Sequence, residues 1–492
     1  MRSTILTGLI VSCACLASFA CSGSNSDSDD SSGAAGTNVA GTSAASGGSG
    51  GHGGASGSAG TTTLGGGPSG SAGSFATGGS SALGGAGVGG ASGGAAGASG
   101  GTGGAGGSGG VNTGGGILGP TGLVHPGVLV NKAMLEFVKS KIAAKAEPWT
   151  TAMNAASSSD FGSLSYTAHP VANVECGPTS NPDIGCTDEK NDVIAAYTHA
   201  LLWYYTGNQA HAAKAIQIMN AWSAVLKQHT LDNAQLQSAW AAEIFPRAAE
   251  IIRYSDAGWS QADIQQFTNM LNTAYYPEVK DGSTRTGNWD TSAIDAAMNI
   301  AVFNDDMTEF KNTVALWKAR TPAYVYLTSD GALPVQPPRQ TALSDSGLKG
   351  YWYNPKAFID GIGQETCRDE SGTGTQAFGH VQYGVAGIIN AAETARIQGV
   401  DLFSLEEKRL TAFLELHAKY ILGGSTTDLC TTAQNKTAAD PMWDIGYNAY
   451  ANVLGQSLPQ TKALLAKIRP TDATHHMAWE TLTHGDIGNV GL

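Results

Sequence analysis

The chain has 492 residues, 67 of them glycine, with 27 basic against 40 acidic side chains and a formal charge of −13. That length allows two to four domains, and the acidic balance argues against nucleic acid as a partner. Long-range steering of a polyanion would be repulsive, so a site for one needs a local basic patch.

Residues 1–21 read as an export signal: Arg2 gives a positive start, Ile5 to Phe19 an apolar run too short to span a bilayer, and small residues precede Cys21. The ending Leu16-Ala-Ser-Phe-Ala-Cys21 is similar to a bacterial lipoprotein signal, which makes Cys21 the expected lipidation site and the outer membrane the expected anchor. Cleavage without lipid and full secretion is the alternative. Residues 22–120 read as a disordered tether. From 22 to 118 the chain is almost all Gly, Ser, Ala and Thr, with no Lys or Arg and only Asp27, Asp29 and Asp30 acidic. Such a segment has too little apolar surface to offset its ordering entropy, and its root-mean-square reach is about 50–60 Å. Residues 121–492 remain for one large domain.

Four cysteines fall in that domain, an even set suited to an oxidising compartment. The short loop from Cys176 to Cys186 reads as one disulfide, leaving Cys367 with Cys430 as a second that pins the loop carrying Arg368. Apolar residues recur at helical spacing nearly throughout. Asn131 is placed to cap a helix bearing Leu135, Val138 and Ile142, ending before Pro148-Trp149. Val193 to Tyr205 is apolar all round, as in a buried helix, and Ile216, Met219, Trp222 and Leu226 share one face of the next. Ser260 with Asp263, and Ser404 with Glu407, read as capping boxes. Ala323 to Leu327 is the one strand candidate. The expected fold is all-α, an incomplete α/α toroid of helical hairpins. Periodicity alone does not separate it from an open solenoid, but no fixed repeat is visible.

The richest stretch for chemistry is Glu365 to Gly384, where Arg368, His380, Gln382 and Tyr383 lie in a Gly-broken loop running into an apolar helix. Upstream stands Gly287-Asn288-Trp289-Asp290. Arg285, Arg320, Arg339, Lys349, Lys356 and Arg368 are the candidates for the basic patch.

The order of several motifs resembles one family. They are His125-Pro126-Gly127, Pro148-Trp149, Asn191-Asp192, Trp203 to Asn208, Ala239 to Arg247, Gly287-Asn288-Trp289, Ala301 to Asp306, Arg368-Asp369, Gly379-His380-Val-Gln-Tyr383-Gly384, and Ala391 to Arg396 with Gln398-Gly399. Together, over roughly 123–490, they resemble the alginate lyase superfamily, helical-toroid lyases of alginate or related polyuronates such as glucuronan. The resemblance implies that an Asn and an Arg neutralise a uronate carboxylate and a Tyr transfers the proton, with Asn288, Arg368 and Tyr383 in the matching positions. Trp289 stands where a His follows that Asn in the family, and the Arg–His spacing is lengthened, so His380 is a second candidate for the base. Trp289, Gln382, Tyr351, Trp352, Tyr353, Arg339, Asn191 and Trp240 are the expected substrate contacts. No cofactor or metal is called for, and a monomer is expected.

Plainer readings stand beside these. Asn288 can cap a helix, Arg368 can pair with Asp369 or Glu365, and His380 and Tyr383 can simply pack. His475, His476, His484 and Asp486 form a possible zinc set, more readily structural histidines. Asn435-Lys-Thr437 matches a glycosylation acceptor. Rival functions are a toroid glycoside hydrolase using Asp290, Glu365 or Asp369 in a carboxylate pair, and a surface glycan-binding protein without catalysis.

Overall fold

A computed structural model describes residues 114–285, 287–369, 378–423, 426–431 and 438–491. The expectations for the signal, Cys21, the tether and Asn435 lie outside the described residues. Residues 114–120, assigned above to the tether, already make contacts. The Gly114 carbonyl accepts from Ala133, and β1 (Ile117–Leu118) pairs antiparallel with β2 (Val124–His125).

Helices dominate. In chain order they are α1 (Lys132–Ala143), α2 (Trp149–Ser158), α3 (Cys186–Thr206), α4 (Gln209–Val225), α5 (Ala234–Arg253), α6 (Gln261–Met270) and α7 (Tyr276–Val279). There follow α8 (Asn288–Phe303), α9 (Met307–Arg320), α10 (Asp345–Tyr351), α11 (Gly379–Ile397), α12 (Glu407–Gly423), α13 (Trp443–Tyr447), α14 (Pro459–Ile468) and α15 (Glu480–His484). Two layers emerge from burial. All sixteen residues of α8 are buried, whereas α4 buries only a stripe of six out of seventeen, as an outer helix does. The inner helices α3, α5, α8 and α11 pack side by side in that order. Outside them, α4 backs α3 and α9 backs α8, while α13 and α15 continue the ring toward α1 and α2. This is the incomplete α/α toroid. One apolar cluster fills the α1–α6 half and another the α9–α14 half.

Side-chain caps mark several helix starts. Asn131 Oδ1 accepts the Met134 N–H at 3.0 Å, and Ser260 Oγ accepts that of Asp263 at 3.1 Å. Three expectations are corrected. The Ser404–Glu407 box does not form, because the Ser404 N–H donates to Asp401 Oδ1 and the helix starts only at Glu407. Residues 323–327 are not a strand: a 3₁₀ turn covers Thr321–Ala323, and Val325 makes a lone bridge to Gly363. Asn288 is the first residue of α8 and not its cap, which is Gly287.

Short strands do occur. Strand β3 (Asn173–Cys176) lies between β4 (Asp183–Ile184) and β5 (Gln228–Thr230), and a hairpin joins β6 (Ala473–Thr474) to β7 (Met477–Ala478). Cys176 is bonded to Cys186 and Cys367 to Cys430. Among the described residues, no helix is long and apolar enough to cross a membrane.

Candidate active site

Glu365 organises the site. Its Oε2 accepts from the Asn288 backbone N–H and from Tyr324 Oη, each at 2.7 Å; its Oε1 accepts from Arg368 Nη1 at 2.7 Å and Asn288 Nδ2 at 3.3 Å. All four residues are buried. Gly287 makes this possible: its φ is +75°, and a Cβ there would lie 2.0 Å from Glu365 Oε1. Gly384 serves similarly, since a Cβ on it would overlap the Tyr324 hydroxyl. The start of α8, the 365–368 turn and the start of α11 are thereby drawn together.

Asn288 keeps a second Nδ2 hydrogen, and its Oδ1 is buried without a hydrogen-bond partner. The Arg368 guanidinium also lies over the Tyr353 ring, 5.8 Å from its centroid. Next door, Arg320 Nε reaches Asp290 at 3.0 Å, and Arg339 Nη2 donates to the same carboxylate. Three guanidiniums are thus gathered on the Glu365 and Asp290 carboxylates.

Tyr383, half-buried on α11, stands in a ring of aromatics. Its centroid is 4.9 Å from His475, 6.0 Å from His476, 6.1 Å from Trp240 and 6.3 Å from His380. Trp240 and Trp289 pack together with Leu236 against the tyrosine. Lys190 of α3 lies 5.4 Å over the Trp240 ring. Burial, aided by the nearby Arg368 charge, holds the His380 imidazole well below its ordinary pKa. Burial and then Lys190 do the same for His475, and burial and then Arg247 bring His476 down to about 3. Around Tyr383 stand three imidazoles that burial keeps neutral.

The floor holds this ring in place. His476 Nε2 donates to the Tyr383 carbonyl at 3.0 Å, and Arg247 Nη1 donates to the His476 carbonyl at 2.9 Å. Arg247 in turn reaches Asp295 at 3.1 Å. Burial raises the pKa of both Asp295 and its neighbour Glu243.

A family model described as alginate lyase matches residues 187–427, a span that holds Trp240, Asn288, Arg368, His380 and Tyr383. Alginate lyase A1-III from Sphingomonas species A1 is similar in fold, with a TM-score of 0.52 over 77% of this chain and 99% of that one, at 15% identity.

Over residues 187–427 the chain matches the alginate lyase family.

Other superfamily structures align less closely. A variant of the Sphingomonas enzyme complexed with a tetrasaccharide gives a TM-score of 0.49 at 14% identity over 77% and 99% of the two chains. An alginate lyase from Bacteroides ovatus gives 0.45 at 13% over 73% and 99%. No curated protein matches the chain.

In this chain, Asn288, Trp289, Arg368, His380, Tyr383 and Trp240 come together as a group. Tyr353 and Arg339 flank it through Arg368 and Asp290. Tyr351 is half-buried, and its carbonyl accepts from Gln364 at 3.3 Å. Two expected contacts are used elsewhere. Trp352 is 1% exposed and packs on Phe358 in the core. Gln382 donates to the Phe378 and Ala438 carbonyls and accepts from Asp440 N–H, so it ties the 438–440 segment to α11. Asn191 lines a separate groove beside α3. The broad basic patch does not exist as such. Arg320, Arg339 and Arg368 are ion-paired, Arg285 stacks 4.3 Å over Trp289, and Lys356 donates to the Thr427 carbonyl.

Sequence reading missed His475, His476, Lys190 and Tyr324. The histidine pair was visible, but only as part of a zinc set, and that set does not gather. His484 Nε2 donates to the Leu129 carbonyl, and Asp486 pairs with Arg469. Nothing local in the sequence said that the 473–478 hairpin would fold onto α5 and α11.

Proposed function

We propose that this chain is a polysaccharide lyase that cleaves a 4-linked uronic acid polymer by β-elimination. The observation that carries the reading is the convergence of Asn288 and Arg368, joined through Glu365, with a half-buried Tyr383 surrounded by neutral imidazoles. The proton at C5 of a uronate is too weakly acidic to leave while the adjacent carboxylate keeps its charge. Donors from Asn288 Nδ2 and Arg368 would neutralise that carboxylate and stabilise the enolate-like transition state, with about 3–4 kcal/mol typical for one such donor. A neutral imidazole, or Tyr383 itself beside Arg368, takes the C5 proton. The C5–H electrons form the C4=C5 double bond, the C4–O bond breaks, and the departing oxygen receives a proton from the Tyr383 hydroxyl. Groups positioned in this way contribute about 10²–10⁴-fold each.

Two of the three carboxylates that a hydrolase could use are committed otherwise. Glu365 accepts four hydrogen bonds from the protein, and Asp290 is held by Arg320, Arg339 and the Ser283 N–H. The export signal and Cys21 support a lipid-anchored or secreted protein acting outside the cell, its domain carried on the Gly/Ser/Ala-rich tether.

The deciding experiment incubates the purified chain with alginate, poly-mannuronate, poly-guluronate and glucuronan while following the ultraviolet absorbance of unsaturated sugar ends. Elimination produces that chromophore and hydrolysis does not. New reducing ends without absorbance would overturn the reading in favour of a hydrolase, and binding without any cleavage would leave a glycan-binding protein.

A further inference from the structure

The arginines gathered around Asn288 and Tyr383 each face a carboxylate. Arg368 meets Glu365, Arg320 and Arg339 meet Asp290, Arg247 meets Asp295, and Arg285 lies 3.7 Å from Asp232. Lys190 of α3 is different: among the described residues it makes no ion pair with an Asp or Glu. The acids beside it in sequence are held elsewhere. Glu189 is buried against His229, Gln237 and Tyr275. Asp188, two residues earlier and so on the opposite face of the helix, lies 3.8 Å from His169.

The Lys190 ammonium does not stand in open water either. A lysine on a helix surface ordinarily carries its charge out into solvent. This one is half-buried, with Nζ 5.4 Å over the Trp240 ring, whose π face draws the cation inward. Trp240 in turn meets His475 at 4.6 Å and Tyr383 at 6.1 Å between ring centroids, which ties Lys190 to the site through a single side chain. Because Trp240 is only 2% exposed, a ligand at this edge meets the ammonium and not the indole face.

The charge acts on the site. After burial, Lys190 has the largest influence in holding the His475 imidazole down, whereas for His380 that part falls to Arg368. The two cations therefore stand by different imidazoles of the Tyr383 ring. Arg368 already has Glu365; Lys190 has no counterpart in the protein. A partly desolvated charge without a partner is costly, and an anion arriving with the substrate would offset that cost.

We propose that Lys190 binds the carboxylate of the uronate next to the one being cleaved, and so selects polymers that carry uronates on consecutive sugars. The inference rests on the lyase reading and adds a specificity-determining residue to it. Asn288 and Arg368 act on the cleaved sugar, and Lys190 on its neighbour.

The test uses the full chain and three variants. Lys190→Met and Lys190→Gln keep an unbranched stem on Trp240 without the charge, and Lys190→Arg keeps the charge. The probes are oligosaccharides of equal length, a homopolyuronate and one alternating uronate with neutral hexose. Ultraviolet assay gives kcat and KM, and calorimetry in a Tyr383→Phe background gives binding without turnover. We expect the uncharged variants to weaken the homopolyuronate by about tenfold, mainly in KM, and the alternating saccharide by less than about twofold, with Lys190→Arg restoring most of the difference. Added salt should weaken the homopolyuronate more steeply on the native chain than on Lys190→Met. Equal losses for the two saccharides would mean that Lys190 only props Trp240, and they overturn the proposal, as does no loss for either. If neither saccharide yields an unsaturated product, the lyase reading fails while calorimetry still judges Lys190: a loss confined to the homopolyuronate upholds its role, and equal loss or no binding overturns it.

Discussion

Asn288 and Glu365 meet twice, the backbone N–H at 2.7 Å from Oε2 and the side-chain Nδ2 at 3.3 Å from Oε1. The carboxylate that orients this amide also holds Arg368 and Tyr324, so one buried anion fixes three groups from three segments. Replacing Glu365 with Ala should therefore act on both folding and activity. Removing one partner of a buried pair strands the other, a loss of about 3–5 kcal/mol. Chemical denaturation measures it; a change under about 1 kcal/mol would show that Glu365 is not the organiser.

Tyr383→Phe removes one hydroxyl from a half-buried ring and leaves the packing on Trp240 and His475 in place. Activity on the cleaved polymer should fall by about 10²–10⁴-fold in kcat, with the melting temperature nearly unchanged. A variant that keeps more than about a tenth of the native rate would remove Tyr383 from the proton path.

The pH profile follows from the imidazoles. A base works when neutral, and its neutral fraction disappears as the pH falls through the folded-state pKa. Burial places the pKa values of His380 and His475 well below 6.5 and that of His476 at about 3. The acid limb of kcat/KM should accordingly lie below pH 6.5, with activity sustained through mildly acidic solution. A limb centred at or above 6.5 would contradict an imidazole base held neutral by burial.

Gly287→Ala introduces a Cβ where Glu365 Oε1 already stands, at a backbone φ of +75°. Both effects push α8 away from the 365–368 turn, so stability should drop by more than about 1 kcal/mol and activity should fall with it. Thermal melts with parallel assays check this. Full activity in the variant would mean that the close approach is dispensable.

His475→Ala leaves α11 and Arg368 untouched but opens the ring around Tyr383. If His475 is the base, kcat falls by about 10²-fold or more while KM changes little. If it only packs, the loss appears in stability and KM instead.

The sequence by itself determined the helical body, the two disulfide pairs, the aromatic and polar residues of the 365–384 stretch, and the roles open to Asn288, Arg368, His380 and Tyr383. These are local properties: a buried face, a cap or a cluster of chemistry is written in adjacent residues. Where local signals competed, the sequence misled. Gln382 and Trp352 looked like sugar contacts, but a buried amide with three backbone partners and an indole on Phe358 belong to the core. Only the tertiary structure decided that Glu365 reaches Asn288 across 77 residues and joins it to Arg368, and that His475 and His476 close on Tyr383 from nearly a hundred residues away. Which side of a toroid a distant hairpin meets depends on how whole helices stack, and no run of neighbouring residues records that.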